Sequence, residues 1–353
     1  MWVLFRESFE KNEVVQCFGT GLLFLCSIIT KNHQTNTIML YLESFRFPSI
    51  EAEEDFLMRY YRSYASKQEL YEHKGISGNY PFGVLSEHRL EAFDFDPITI
   101  LYGSNGSGKS TALNVIAEKL QVKREADYNR TVMTERYVRL CSYEINDDCK
   151  DDLPPAGLAS ISKMITSDDV FKTILNTRER NERKLVKRSL LWNEIGSVKN
   201  GNTERHREVN FVTGEGVEEM DKYWKYRKKS FVQNLVDELG MLQQEYSNGE
   251  TGMSILANKI EEDGLYLLDE PENSMSCVFQ QSLAKLIQLS ASSCNTQFII
   301  ATHAPFLLAI PGAKIYNLDA NPVTVSQWYE LENMQRYFQL FDSYAEQFKN
   351  ACH

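Results

Sequence analysis

The stretch of residues 98–111 reads ITILYGSNGSGKST. Its first five residues carry no charge, as expected of a central strand that is buried on both faces of a parallel sheet. Three glycines follow between residues 103 and 108, and apolar side chains then recur at the spacing of one helix face. We therefore predict a buried strand, a glycine-rich turn and a helix beginning near Ser110, in immediate succession.

The turn has the spacing of a phosphate-binding P-loop, Gly-x-x-x-x-Gly-Lys-Ser. Its glycines let successive backbone N–H groups point inward as an anion nest, and the helix N-terminus adds a positive dipole end. We expect Lys109 to reach the β- and γ-phosphates of ATP and the Ser110 hydroxyl to bind Mg²⁺. The residues predicted to bind ATP here are Gly103, Ser104, Asn105, Gly106, Ser107, Gly108, Lys109, Ser110 and Thr111.

Strand-like and helix-like segments alternate from Leu40 onward, which predicts an α/β fold: a mostly parallel sheet flanked by helices. Buried strands are also predicted at 265–268 and 298–301, with a helix near 275–292 between them. Residues 125–160 are polar and include two consecutive prolines, so we predict loop and short strands there. Two more strands, at 314–318 and 323–328, and a helix should follow.

The predicted domain organisation has a helix-biased, charged lobe inserted between two halves of the sheet domain. The segments are 1–38, an extension of doubtful role; 39–169, the first half with the P-loop; 170–245, the inserted helical lobe; and 246–353, the second half.

The first segment differs in composition from the rest. Residues 14–30 carry no charge, but they are short for a membrane span of about 20 residues and contain two glycines. Three interpretations stay open: an upstream extension outside the fold, even a mis-set start codon; a membrane anchor; or an extra packed helix. Membrane association is the disfavoured one for the chain as a whole.

Two predicted strand ends carry polar side chains suited to hydrolysis. Asp269 and Glu270 follow the strand at 265–268, and His303 follows the strand at 298–301. Asp269 is expected to hold Mg²⁺ through water, Glu270 to polarise an attacking water, and His303 to hold that water and Glu270 in line. The alternatives are an acidic turn that closes a core strand and a solvated histidine.

A further motif makes the resemblance specific. Ser247-Asn248-Gly249 resembles the signature motif of ABC-type ATPases, from whose Ser-Gly-Gly-Gln core it departs at two positions, and residues 273–275 stand in D-loop position. The match covers about residues 95–310. Within that class, Asn105 resembles the heads of SMC and RecF-type proteins. The runs DEPENS at 269–274 and ATHAPFL at 301–307 are similar to stand-alone bacterial ATPases labelled AAA family.

The resemblance implies an ATPase that forms a head-to-tail homodimer on binding ATP. Ser247 and Gly249 of one copy would cap the γ-phosphate bound by the other, and the output would be a switch acting on DNA or on a separate effector protein, in repair or antiphage defence. Two family elements are weak. The glutamine expected to reach magnesium is replaced by residues 166–169, Thr-Ser-Asp-Asp, and only Tyr80 or Phe82 offers an adenine-stacking ring.

Composition limits the partners. The net charge of −11 argues against uniform coating of nucleic acid but not against a local basic patch. Residues 171–188 hold seven basic and two acidic side chains, and residues 221–229 hold five and one, with three aromatics interleaved. Such segments can contact DNA, or they can form a solvated helical hairpin. Seven scattered cysteines without a C-x-x-C pair are typical of a cytoplasmic protein without disulfides.

Two other function classes stay open. One is the nucleotide-binding subunit of an ABC transporter, with residues 1–38 as its membrane link; the short basic lobe and Asn105 argue against it. The other is a AAA+ motor, which the motif at 246–250 opposes.

Overall fold

The computed structural model describes residues 40–62, 78–126, 128, 130–150, 153–155, 157–199, 224–230, 233–234, 237 and 248–351. The predictions about residues 1–38 and about Ser247 therefore lie outside the described residues. Two compact units divide the described chain. The first holds the residues up to Val170 and from Asn248 onward, and the second lies between Phe171 and Ser247.

Nine strands among the described residues form two sheets, both in the first unit. Their bounds are β1 Leu42–Arg46, β2 Ala92–Asp94, β3 Ile98–Tyr102, β4 Ser142–Ile145, β5 Ser162–Thr166, β6 Leu265–Asp269, β7 Gln297–Ala301, β8 Lys314–Asn317 and β9 Thr324–Ser326.

Ten helices accompany them in the described residues, two of them only four residues long. Their bounds are α1 Ile50–Arg62, α2 Lys109–Leu120, α3 Val132–Leu140, α4 Leu158–Ile161, α5 Ser167–Lys199, α6 Asn248–Lys259, α7 Cys277–Ser293, α8 Pro305–Leu308, α9 Glu332–Ser343 and α10 Ala345–Ala351.

The larger sheet has six strands in the order β5-β6-β7-β3-β8-β9. The first five run parallel, and β9 returns antiparallel to β8 as a hairpin. Every residue of β3 is buried, because β7 and β8 flank it and helices cover the sheet. The predicted α/β fold with a mostly parallel sheet is confirmed, and so is the position of residues 98–102 as a central strand.

Residues 125–160 depart from the prediction of loop and short strands, because α3 forms there. The Thr131 side chain accepts a hydrogen bond from the Met133 N–H, and the Thr134 hydroxyl accepts one from the Thr131 N–H, which closes a capping box. Met133 and Tyr137, one turn apart, are buried on the face toward the core. Capping and burial together outweigh the polar composition that suggested a loop.

The smaller sheet is joined to the larger one through a buried glutamine. In it, β1 lies between β2 and β4 and pairs antiparallel with both. Gln297, at the start of β7, is fully buried. Its Oε1 accepts from the Tyr41 and Leu42 N–H groups at 3.0 and 2.9 Å, and its Nε2 donates to the Leu42 carbonyl at 2.9 Å. One side chain thus satisfies three backbone groups at the start of β1, those of Leu42 and of the preceding Tyr41.

No helix within the described ranges is both long and apolar enough to cross a lipid bilayer. The four cysteines that fall in those ranges are free thiols; Cys141, Cys149 and Cys294 are buried and Cys277 is exposed.

We expect Gln297→Leu to lower the free energy of unfolding by at least about 3 kcal/mol. The leucine has a similar volume but leaves two N–H groups and one carbonyl unpaired inside the core, at about 1–3 kcal/mol each. Gln281→Leu, at an exposed position on α7, is the matched control and should change stability by less than about 0.5 kcal/mol. Urea denaturation followed by circular dichroism measures both. Equal stabilities of the two variants would contradict this role for Gln297.

Candidate functional site

The sheet register brings the predicted site residues to one edge. Thr166 pairs with Asp269, Asp269 with Ala301, and Ala301 with Leu101, so the carboxyl ends of β5, β6, β7 and β3 lie in a row. Ligands bind outside this edge in open parallel sheets, because the connections that leave it can carry polar side chains. The P-loop leaves β3 from the same edge.

The loop at 103–108 has the backbone geometry that its glycines permit. Gly108 has a φ of +91° and forms the N-cap of α2, in the left-handed region that side chains disfavour. A Cβ on Gly103 would lie 2.3 Å from the Ser107 Oγ and 2.8 Å from the Ser107 Cβ, so any larger residue there would force Ser107 to shift. Lys109 is buried, and its Nζ donates to the carbonyls of Gly103 and Ser104 at 2.8 and 3.0 Å. The lysine therefore holds both ends of the loop together.

One hydrogen bond joins the P-loop helix to the end of β6. The Ser110 Oγ donates to the Asp269 Oδ1 at 2.9 Å. Ser110 is the second residue of α2, and Asp269 is the last residue of β6. Two oxygen ligands from widely separated parts of the chain thus lie within reach of one small ion.

Asp269 ionises less readily than an exposed aspartate. Burial is the largest cause and raises its pKa to about 6 from 3.8; the neighbouring carboxylates of Glu270 and Glu272 add to the increase. The Ser110 hydrogen bond and the Lys109 charge act in the opposite direction. A bound divalent cation would offset this cost, because it supplies the positive charge that the buried carboxylate lacks.

The two predicted catalytic side chains lie side by side. The His303 Nδ1 is 3.7 Å from the Glu270 Oε1, and both side chains are partly exposed. Glu270 itself has a φ of +47°, which is unusual for a residue with a side chain. Its backbone N–H nevertheless donates to the Ala301 carbonyl at 2.9 Å, so the turn after β6 is fixed to the end of β7.

A buried contact behind these residues was not assigned a role from sequence. Glu272 and Thr302 are both buried, and the Thr302 hydroxyl donates to the Glu272 Oε1. The same hydroxyl accepts from the Ala304 N–H at 3.0 Å. Burial is the main cause that raises the pKa of Glu272 above its usual range. The contact ties the turn that carries Glu270 to the segment that carries His303, and so positions both.

Asp319 is a second residue that sequence reasoning missed. Its carboxylate accepts two hydrogen bonds from the Ser104 N–H, at 2.8 and 2.9 Å, and one from the Ser104 hydroxyl at 2.8 Å. It follows β8, which lies beside β3 in the sheet. A carboxylate directly after a predicted parallel strand was the available signal, since such positions face the same edge.

The two weak family elements have distinct outcomes. Thr166 lies in register beside Asp269, but its N–H and hydroxyl both donate to Asp169, at 2.8 and 2.9 Å. Phe82 is buried in the core, where its ring stacks on Phe56 with centroids 5.2 Å apart. Tyr80 remains partly exposed, and its hydroxyl donates to the Thr111 Oγ1 at 3.2 Å.

The remaining predicted site residues have separate outcomes. Ser247 is outside the described residues, and Gly249 lies in the first turn of α6. The basic stretch at 171–188 belongs to α5, and only residues 224–229 of the other stretch are described. In that part Trp224 is exposed but Tyr226 is buried, so Tyr226 does not present a ring for stacking.

The donor set at the sheet edge fits magnesium. Mg²⁺ prefers a few hard oxygen ligands, usually one or two carboxylates with hydroxyl, phosphate and water completing its shell. The Ser110 hydroxyl and the Asp269 carboxylate supply such oxygens, and a 2.9 Å hydrogen bond joins the two side chains. The electrostatic environment also favours a bound cation, because the charge of Lys109 only partly offsets the effect of burial on the Asp269 carboxylate.

We expect Asp269→Asn to stabilise the chain in the absence of nucleotide and metal at pH 7. The folded pKa is raised, so the unfolded chain loses this proton first, and the wild-type free energy of unfolding falls as pH rises from about 4 to about 6. Removing the ionisable group eliminates that loss, which amounts to about 2–3 kcal/mol.

Thermal unfolding between pH 3.5 and 7.5 tests this expectation, with Asp94→Asn, an exposed carboxylate on β2, as the control. The Asn variant should lose the decline that the wild type and the control share. Parallel pH profiles for all three proteins would show that Asp269 is not destabilised by its burial.

No family model matches the sequence, and no curated protein matches it. Among solved structures, the chain is similar to an Smc head domain of Pyrococcus furiosus, solved with an extended coiled coil and bound to the C-terminal domain of ScpA. The sequence identity is 14% and the TM-score is 0.33, and the match covers 70% of this chain and 95% of the other. An SMC head domain from Thermotoga maritima matches with 11% identity, coverage of 82% and 99%, and a TM-score of 0.33. An inward-facing ABC transporter described as of the metal-chelate type matches with 16% identity, coverage of 69% and 77%, and a TM-score of 0.31.

Proposed function

We propose that the chain binds ATP with Mg²⁺ at the edge formed by β3 and β6 and hydrolyses it to ADP and phosphate. The observation that supports this most directly is the 2.9 Å hydrogen bond between Ser110 and Asp269. It joins a complete P-loop to the carboxylate at the end of β6, which β7 separates from β3. A P-loop and such a carboxylate are the combination that a nucleotide–magnesium site requires.

In this proposal each side chain has one task. Ser110 and Asp269 hold the magnesium ion, which neutralises charge on the phosphate oxygens when bound. Lys109 contributes a positive charge to the phosphates after exchanging its present contacts with the loop carbonyls. Glu270 orients and polarises the attacking water, and His303, 3.7 Å away, helps to keep that water in line.

We further propose that two copies of the chain form a dimer in which each ATP site contains residues from both copies. Ser247 and Gly249 of one copy would cap the γ-phosphate held by the other, since a serine hydroxyl and a helix N-terminus are suited to bind phosphate. This proposal is supported by the helix Asn248–Lys259, which begins directly after Ser247. ATP would then close the dimer and hydrolysis would open it.

The output in this proposal is mechanical, acting on DNA or on a separate effector protein. The support is the second unit, where Lys172, Arg180, Lys187 and Arg188 are exposed along α5. Exposed cations on a helix neutralise phosphates by counterion release, which is how sequence-independent contacts to DNA arise. A pairing between Arg183 and Glu179 at 2.6 Å reduces this local charge.

Glu270→Gln tests the hydrolytic role. The variant should bind ATP as the wild type does, because the amide keeps the size of the side chain, while ATP turnover falls at least about 100-fold through loss of the base. It should also accumulate as an ATP-bound dimer. Phosphate release and light scattering measure the two effects.

Glu91→Gln, an exposed carboxylate just before β2, is the control and should hydrolyse ATP at the wild-type rate. Undiminished turnover by Glu270→Gln would contradict the assigned base. A chain that stays monomeric at saturating ATP would contradict the shared site while leaving nucleotide binding intact.

A further inference from the structure

The last two described helices, α9 and α10, are exposed along most of their length. Leu331 and Met334 are buried and anchor the start of α9. None of the residues from 335 to 351 is buried, although all of them are described. These two helices therefore extend beyond the part of the fold that holds them.

Six large apolar side chains lie on these helices and at the junction between them, which is unusual for an exposed segment. The Phe341 and Phe348 rings meet edge to face with centroids 5.8 Å apart, so the two helices share one apolar surface. A shallow groove runs across it, between Leu340 and Ala351. We call this surface the aromatic face; its members, with exposed fractions, are Tyr337 (47%), Phe338 (65%), Leu340 (51%), Phe341 (54%), Tyr344 (49%) and Phe348 (54%).

Helix energetics indicate that something covers the aromatic face. Isolated helices shorter than about 12–15 residues are marginal in water, and most helices in proteins are stabilised by packing of an apolar side. Here α9 has 12 residues and α10 has 7, and aromatic residues are poor helix formers. Among the described residues 331–351, only Leu331 and Met334 are buried, and both lie at the start of α9.

The area of the aromatic face suits a protein interface. A phenylalanine or tyrosine offers roughly 150–250 Å² of surface, so six half-exposed side chains present about 600 Å² together. Two such faces in contact would bury about 1,200 Å², which reaches the lower bound for a specific protein–protein interface. A patch of this size is also at the upper limit for the surface of a monomer.

The charges around the face favour a second copy of the chain over other partners. Between residues 332 and 351 stand two basic and three acidic side chains, so the surface is nearly neutral in a protein of net charge −11. Nucleic acid or an anionic lipid surface would require an excess of positive charge. Two copies of this face repel each other less than other parts of the acidic surface would.

We propose that the aromatic face pairs with the same face of a second copy, about a two-fold axis, without nucleotide. Such an isologous contact uses one patch twice and closes on itself. Phe338 and Phe341 are its central contacts, because they are the two most exposed members of the aromatic face on α9. The pairing goes beyond the ATP-driven closure proposed above and does not depend on it.

Sedimentation velocity of the full chain in EDTA, without nucleotide, tests the proposal between about 1 and 50 µM. The wild type should be a dimer with a dissociation constant in the micromolar range or below. The double variant Phe338→Lys/Phe341→Lys should weaken pairing at least about 100-fold, since central aromatic residues dominate interface energies. Met58→Lys, on α1, removes an equally exposed apolar side chain elsewhere and should remain a dimer.

A wild-type monomer at 50 µM, or a double variant that pairs like the wild type, would overturn the proposal. If the double variant precipitates, the wild type alone decides, because the melting temperature of a dimer falls on dilution. A melting temperature unchanged over about a 100-fold range would also overturn it. None of these readings involves ATP, so they separate this pairing from the ATPase proposal.

Discussion

The parallel register of β3, β7 and β6 is the constraint on which the candidate site depends. It sets the carboxyl ends of three strands in one row. Asp269, Glu270 and His303 lie within two residues of these strand ends, and the P-loop that carries Ser110 leaves β3 there. The 2.9 Å contact between Ser110 and Asp269 is the consequence. A shift of one residue in β6 would turn Asp269 to the opposite face of the sheet and dismantle the site.

Electrostatics give this edge its chemical character. Asp269, Glu270 and Glu272 lie within four residues, and burial disfavours the ionised forms of Asp269 and Glu272. The charge of Lys109 acts against this effect at Asp269, but its Nζ also donates to two loop carbonyls. The folded chain therefore holds buried carboxylates whose negative charge a bound Mg²⁺ ion would balance. Hydrogen bonds elsewhere, such as those of Gln297, offset the cost in stability.

Much of the fold could be predicted from sequence because its central strands are continuous apolar runs next to distinctive turns. Residues 98–111 predicted strand, loop and helix correctly, and the runs before Asp269 and His303 became β6 and β7. Helix α3 was missed because its capping box has threonine at both positions. The second position of a capping box is usually glutamate or glutamine.

The supporting contacts of the site could not be predicted, because they join residues far apart in the chain. Asp319 and Ser104 are 215 residues apart, and Gln297 and Leu42 are 255 apart. Thr302 and Glu272 were visible beside the strand ends, but only the fold shows that they bond each other. Similarly, the sequence predicted a helix after the last strand, but only the structure shows that the apolar residues of α9 and α10 are exposed.

Calorimetric titration of ATP, with Mg²⁺ and with EDTA, into the wild type and into Ser110→Ala shows whether Ser110 and Asp269 form a nucleotide–magnesium site. We expect one ATP per wild-type chain and a gain of at least about tenfold in affinity on adding Mg²⁺, equivalent to about 1.4 kcal/mol. Ser110→Ala should retain ATP binding in EDTA and lose most of the magnesium-dependent gain. The absence of saturable ATP binding at millimolar concentrations, or binding that responds to neither Mg²⁺ nor the Ser110 substitution, would contradict this assignment of the site.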